Sequence, residues 1–511
     1  MTMAYITEQK VGKYIYVYEA TSYWDSEKKQ PRKTRRYIGK KDPLTGAVVS
    51  TRKAYSSLDY GNIYFLNAIS CQIGLKSLLK KIFPDTFEEI LACIFFQITE
   101  NKPLYLAKLW LQSTYYSIKG NLSSQRISEL LKKLGEDEEL RLAFLKAWTK
   151  SYSESSFIVF DITSFSSYSK KLELVEWGYN RDREKLPQIN FGLIYGEPSS
   201  IPLFYTKYPG SISDVATLSN IVSYLEWLKL DRSLFILDKG FFSLYNLARM
   251  GDIHFLIPLP YSKKAATELI EKHKSNIASH KNAFLLAKDV LYCAADSITI
   301  DKKTYHAYIY LDEKRRAEER DSFLKKVFEV EKKIEDIDFA KISELEDYLD
   351  DNVGGWKNIF NIYDSADNPK LERNDKGINC CLDKMGTTIL ITNKEIAPQY
   401  ALSLYRRKDT VEKFFDNMKN DMDRKRLGIH NLKTFEGRLF VDFLALITYS
   451  HISKVAREEK IVKDYTVQEI MYELKKIKLI HLGEKKTIIT EVSKKQRELF
   501  EKFKIEIPYK T

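Results

Sequence analysis

Hydrophobic and polar positions change period several times along the chain. Residues 1 to about 55 alternate in short bursts, as in KYIYVYEATSYW and RRYIGK, and Asp42-Pro43-Leu44-Thr45-Gly46 has the composition of a turn. This pattern predicts a small module of β-hairpins over 1–55, with Lys33, Arg35 and Arg36 on or near a strand. From 56 to 150 the apolar spacing becomes helical, in runs such as IYFLNAISCQIGLKSLLKKIF and EEILACIFFQIT. Within that region SSQRISELLKKL places Ser123 as a cap ahead of Ile127, Leu130, Leu131 and Leu134. Such a helix is either an ordinary core helix or a recognition helix with Gln125 and Arg126 near its amino terminus, where base edges are met.

Beyond 150 the pattern alternates between strands and helices. Phe157 to Phe160 reads as a buried strand ending at Asp161. A hairpin around Gly196-Glu197-Pro198 and a helix from Val215 to Leu228 follow. Leu234 to Leu237 is then a second buried strand, ending at Asp238 and followed by Lys239-Gly240. Ligands in α/β sheets gather at the carboxyl ends of strands, so two strands that each end in aspartate form a less common pattern than one. His254 to Leu259 and Thr387 to Thr392 read as further strands, with a β-rich insertion over 261–384 between them. Residues 461–511 read as a charged, peripheral helical region. The division expected is therefore 1–55, 56–150, a core in two parts (151–260 and 385–460), the insertion 261–384, and 461–511.

The stretch Ala401 to Arg426 contains neither Pro nor Gly and predicts one helix. On it Tyr405, Lys408, Glu412 and Lys419 would share a face roughly 60° wide, beside an apolar stripe containing Val411, Phe414, Phe415 and Met418. A solvated charge face is the ordinary alternative.

Composition sharpens this picture. The chain has 511 residues, a net charge of +12 and 44% hydrophobic residues, enough for several cores under a basic surface of mixed sign. That balance fits a phosphate-rich partner. Five cysteines without a CxxC pair, and seven histidines without HxxxH or HExxH spacing, point away from a disulfide framework and from zinc. The stretch MTMAYITEQK lacks an apolar signal core, LACIFFQIT from Leu91 is too short for a membrane span, and a reducing cytoplasm is expected.

Asp161, Asp238 and Glu412, if brought together, would repel one another unless cations lay between them. Oxygen-only ligation favours Mg²⁺, with Mn²⁺ as a substitute, and two such ions serve phosphodiester displacement.

At these residues the chain resembles a bacterial insertion-sequence DDE transposase of the group with a Y-(2)-R-(3)-E-(6)-K signature. Here that signature falls on Tyr405, Lys408, Glu412 and Lys419, with Lys408 in the place of Arg. Lysine holds phosphate as a point charge and loses the bidentate clamp, and the adjacent Arg407 is the residue that would compensate. VFDITSF, Asp238-Lys239-Gly240 and GYNRDREKLPQ over 178–188 carry the rest of the likeness, which covers about 150–455. The resemblance implies an α/β fold with a ribonuclease-H-like core and mixed sheet, interrupted by a β-rich insertion and preceded by β and helical modules. It implies Asp161, Asp238 and Glu412 as catalytic metal ligands, and Tyr405, Arg407, Lys408 and Lys419 on DNA. Trp356, in the insertion, would receive a flipped base or serve as a core anchor. The implied activity is cutting at terminal inverted repeats and joining 3′-hydroxyls to target DNA, by a homodimer on double-stranded DNA in the bacterial cytoplasm, at the nucleoid and away from membranes. Two rivals are a catalytically impaired DNA-binding relic or regulator, and a metal-dependent nuclease.

Overall fold

The computed structural model describes the chain except for residues 1–3, 26–28, 50–54, 153–156, 170, 180–183, 198, 336, 338, 340, 353–357, 364–369, 409–414, 416–418, 420–425, 428, 430, 483–485 and 509–511. The chain forms two compact units, one of Met1–Leu131 with His451–Thr511, the other of Lys132–Ser450.

In the first unit β1 (Ala4–Val11), β2 (Tyr14–Asp25), β3 (Gln30–Lys41) and β4 (Val48–Val49) make an antiparallel sheet in that order. The turn after β3 forms because the Asp42 carboxylate accepts the backbone N–H groups of Leu44 and Thr45 at 2.9 and 2.8 Å. After β5 (Tyr55–Asp59) the chain turns helical. The helix Phe87–Glu100 is apolar almost all round, and Ile90 to Ile98 are enclosed accordingly. The tail 460–511, expected at the periphery, closes this core instead. Its helix Val467–Lys475 buries Val467, Ile470, Met471 and Leu474, and the strand Lys478–Leu482 pairs antiparallel with β5. Numerous Lys and Glu residues hide an apolar stripe at 3–4-residue spacing there.

The second unit is built on one large mixed sheet. β6 (Phe157–Ser167), β7 (Gln188–Glu197) and β8 (Ile201–Pro209) form an antiparallel meander. β9 (Leu234–Ile236) and β10 (Phe255–Pro258) run parallel to β6 on its other side. β6 does not end at Asp161 as expected but continues six residues further. The polar run Thr163–Ser167 looks like a loop by composition, yet it pairs with β7, and Ser164 is hydrogen-bonded to the Asn190 amide oxygen at 3.0 Å.

The segment 261–384 divides in two. β11 (Ala283–Leu286), β12 (Asp289–Ile300) and β13 (Lys303–Leu311) extend the main sheet rather than forming one of their own. The rest is mainly helical: helices Glu313–Glu335, Ile342–Asn352 and Asp375–Lys384 join a ribbon of β14 (Phe360–Tyr363) and β15 (Lys370–Arg373). They share a separate cluster containing Phe323, Val327, Leu345, Leu349 and Ile359. The chain then returns through β16 (Thr387–Thr392), which lies between β10 and β13.

The single helix expected over 401–426 is interrupted. A helix covers Pro398–Arg406, and its end tightens as Arg407 N–H bonds Leu404 O and Lys408 N–H bonds Tyr405 O, both three residues back. Phe415 and Lys419 are again helical, and β17 (Arg426–Leu427) pairs parallel with Ser166–Ser167 at the end of β6. The helix Leu432–Glu458 is long and apolar enough to cross a membrane, but 78% of its apolar window is buried in the protein.

Candidate active site

The parallel register of β6 and β9 pairs Phe157 with Leu234, Ile158 with Phe235 and Val159 with Ile236. Two residues further on each chain stand Asp161 and Asp238. Within the paired stretch, equal offsets along parallel neighbours put side chains on one face; the pairing ends at Val159 and Ile236, and the two aspartates follow it by two residues each. Asp161 lies in the middle of β6, opposite Leu193 of β7 on one side and just past the β9 pairing on the other, and it is buried, at 3% exposure. Its Oδ1 accepts the N–H of Ile162 at 2.8 Å. Asp238 lies where β9 gives way to the single 3₁₀ turn Lys239–Phe241, and its side chain is 31% exposed.

Packing holds that turn in place. Phe241 is fully enclosed, its ring 5.2 Å from that of Phe160 on β6. The Asn246 amide donates to Phe241 O at 2.8 Å and to Val215 O at 2.9 Å, tying the turn to the start of the helix Asp214–Leu228. A Cβ at Gly240 would sit 3.0 Å from the Asp214 carboxylate, so the third position of the D-x-G motif favours a residue without a side chain. Asp214 thus lies beside the turn, an acidic neighbour that no motif marked.

Two groups converge on Asp238. Tyr405 donates its hydroxyl to Oδ1 at 3.3 Å, and Lys408 Nζ lies 3.3 Å from the same oxygen. The Lys408 side chain is only 8% exposed. A buried ammonium needs an anion, and Asp238 is one it has. Tyr405 lies in the last turn of the helix Pro398–Arg406 and Lys408 in the turn that follows, and both reach the same Asp238 oxygen.

Arg407 goes elsewhere. Its guanidinium lies 3.7 Å from the buried Glu197 carboxylate and over the Phe157 ring at 5.5 Å, at the other end of β6. Arg407 is the residue expected to compensate for Lys408; of the two, Lys408 is the one whose ammonium approaches Asp238. Lys419 is buried, as is Phe415, whose ring is 6.5 Å from Phe191 of β7. Glu412 and Trp356, like Arg181 to Arg183 of the 178–188 run, lie outside the described residues.

Polar side chains that sequence reading passed over brace the end of β6. Gln188 Nε2 donates to Tyr179 O at 2.8 Å and to Gly210 O at 3.2 Å, while Asn190 Nδ2 reaches Ile212 O at 3.2 Å. The loops they join approach so closely that a Cβ at Gly178 would lie 2.0 Å from Gly210 O. An amide pair at alternate strand positions was the only available signal.

Gln125 and Arg126 belong to the helix Ser124–Glu136, with Ser123 Oγ accepting the Arg126 N–H at 3.2 Å. The Arg126 guanidinium grips the buried Glu89 carboxylate through two bonds of 2.7 Å, and Gln125 bonds Glu129 at 2.9 Å.

Asp161 and Asp238 supply the hard oxygen donors that Mg²⁺ or Mn²⁺ requires, and the ammonium already at Asp238 marks a place that attracts cations. Among the described residues no set of three His, Cys, Asp or Glu side chains gathers as a metal site.

No curated protein matches the chain. Among solved structures, a cryo-EM structure of a piggyBac transposase synaptic complex with hairpin DNA is similar at 10% identity and a TM-score of 0.36, over 76% of this chain and 70% of that one. A likeness at that level carries no argument. The profile of the family described as "Transposase DDE domain" matches residues 152–448, which hold β6 to β17 and both aspartates. That match spans more than half of the sequence, and the chain accordingly belongs to the transposase DDE domain family.

Proposed function

We propose that this transposase is encoded by a bacterial insertion sequence, cuts at the terminal inverted repeats of that element, and joins the freed 3′-hydroxyls to target DNA. The observation that carries the reading is the placing of Asp161 and Asp238 at equal offsets on parallel neighbours, with Lys408 and Tyr405 on the second. A ribonuclease-H-like core is the corresponding fold. Its support is the order β8-β7-β6-β9-β10, a three-stranded meander with two further strands parallel to its first. The stretch 261–384 is then the insertion, and 56–150 serves DNA-end binding, where Gln125 is freer than Arg126 to reach a base.

Asp161, Asp238 and Glu412 would hold two Mg²⁺ ions, with Mn²⁺ substituting, and when bound these supply activation of the attacking oxygen and stabilisation of the leaving one. The chain's own residues do the rest. Tyr405 orients the Asp238 carboxylate. Lys408 and Lys419 offer positive charge to the phosphates flanking the scissile bond, as the Y-(2)-R-(3)-E-(6)-K reading requires. Water first attacks the phosphorus at the element end as its P–O3′ bond breaks, and the liberated 3′-hydroxyl then attacks a target phosphorus, whose own P–O3′ bond breaks with the target O3′ as leaving group. Holding both partners in line is the enzyme's contribution to each step. Trp356 takes a flipped base near the end. Bringing two ends together calls for a homodimer on double-stranded DNA, acting in the cytoplasm at the nucleoid.

The test is Mg²⁺-dependent cleavage and joining of a labelled element end. Asp161→Asn, Asp238→Asn and Glu412→Gln should each abolish both reactions and leave end binding intact; cleavage at wild-type rate by any of them removes that residue from the site. The relic reading rests on Lys408 in an arginine position, and it predicts no nicking by the wild-type protein. A nuclease would cleave yet fail to join a pre-cut end.

A further inference from the structure

The sheet β1–β4 is unlike the rest of the molecule in how little of it is covered. Antiparallel sheets ordinarily pack one face on a core. Here Val17 and Ala20 are the enclosed hydrophobic side chains among the described residues of these strands. β3 carries Arg32, Lys33, Arg35, Arg36, Lys40 and Lys41 and no carboxylate.

Register sorts the side chains by face. Lys33 lies opposite Ser22, Arg35 opposite Ala20, Tyr37 opposite Tyr18 and, past a bulge, Lys40 opposite Tyr16. On the other side Tyr5 lies opposite Ala20. With alternation along β2, one face therefore combines Tyr5, Tyr14, Tyr16, Tyr18, Trp24 and Tyr37 with Lys33, Arg35 and Lys40. Glu8 and Glu19 fall on the opposite face, where Glu8 pairs with Lys41 at 2.8 Å.

Contacts agree with this assignment. Lys33 Nζ lies 5.7 Å from the Tyr5 ring centre and Lys40 Nζ 3.2 Å from that of Tyr14. Tyr37 packs edge-on to Tyr18 at 5.5 Å. The rings at the two ends remain open: Tyr5 is 39% exposed, Tyr14 38% and Trp24 65%. Along β2, Tyr14 and Trp24 are separated by about 33 Å.

Exposed rings interleaved with cations, on a face free of carboxylates among the described residues of β1–β3, match the requirements of unpaired nucleotides. Bases stack on the rings and phosphates meet the cations. A duplex hides its base faces and would use only the charges. We propose that this face of the β1–β4 sheet binds single-stranded DNA. The role is separate from the cut-and-join reading, since it needs neither Asp161 nor Asp238.

The experiment measures fluorescence anisotropy of a labelled thymidine oligonucleotide, about 12 nucleotides long, and of a duplex of equal length, with the full chain. Trp24→Ala with Tyr5→Ala should weaken single-strand binding about tenfold or more and change duplex binding less than about twofold. Lys33→Glu with Arg35→Glu should lower the slope of log affinity against log salt by roughly 1.4. Both aromatic positions are exposed, and unchanged far-UV circular dichroism checks that the sheet persists. The Asp161→Asn protein should bind the oligonucleotide as wild type does, so failure of the catalytic reading and failure of this one are told apart. Single-strand binding unchanged in the Trp24/Tyr5 variant overturns the proposal, and so does an equal loss on duplex, which would indicate a ribbon lying in a groove.

Discussion

Lys408 and Asp238 offer a direct measure of how the candidate site is held. Their charges are 3.3 Å apart, with the lysine side chain 8% exposed and the carboxylate 31%. At an effective dielectric of about 20 the gross attraction is about 5 kcal/mol. Desolvation of the ammonium and screening at the half-open carboxylate remove most of it, leaving a coupling of about 1–2 kcal/mol. A cycle of Lys408→Met, Asp238→Asn and the double variant should show that coupling in urea unfolding, followed by hydrogen exchange at β6 and β9 so that the Lys132–Ser450 unit is read separately. Adding Mg²⁺ should shrink it, because a divalent ion at Asp238 takes over the neutralising charge. Coupling below about 0.3 kcal/mol would refute the ion pair, and coupling indifferent to Mg²⁺ would count against metal at Asp238. Lys408→Arg should retain cleavage, since the guanidinium keeps the charge.

A second perturbation concerns Glu436, which is buried and accepts from Arg141 Nη2 at 2.7 Å and from Lys207 Nζ. Glu436→Gln leaves two cations facing an amide and should cost about 3 kcal/mol, seen as a lower thermal midpoint; a change under about 1 kcal/mol would mean the cluster relaxes freely. Burial, with Lys454 nearby, holds the His451 imidazole down to about 4. The folded form stays neutral where the unfolded chain already takes up a proton, so this contribution is fully present above about pH 6.5 and is lost as pH falls toward 4, by about 3 kcal/mol in all. His451→Phe should flatten stability over that window in denaturation at pH 4–7. Burial also pushes the Cys293 thiol up to about 12, and Cys93 is enclosed. A thiol reagent at pH 8 should therefore modify the exposed Cys71 and Cys380 first and leave Cys293 unmodified until the protein unfolds.

The two aspartates of the candidate site are marked in the chain by local signals. Asp238 stands in a D-x-G after a four-residue apolar run, and Asp161 follows FIVF. What the sequence could not display was long-range. Nothing local says that β6 and β9 are parallel neighbours with Val159 beside Ile236, yet this pairing ends two residues before each aspartate. The turn at Arg407–Lys408 was hidden because no Pro or Gly marks it. The length of β6 was hidden because Thr163 to Ser167 have loop-like composition and become strand only by pairing with β7. Arg126, attractive at a helix amino terminus, is bound to Glu89, thirty-seven positions away.

The short pairing of Arg426–Leu427 with Ser166–Ser167 bears on the remaining carboxylate. It fastens the far end of a stretch whose near end, Lys408, is fastened at Asp238. Glu412 is four peptide links from Lys408, so by chain length alone its Cα lies within about 14 Å of that anchor in any conformation. Any group carried between those two anchors is tethered, and under the proposed function its local concentration at the site is a property of the chain's connectivity.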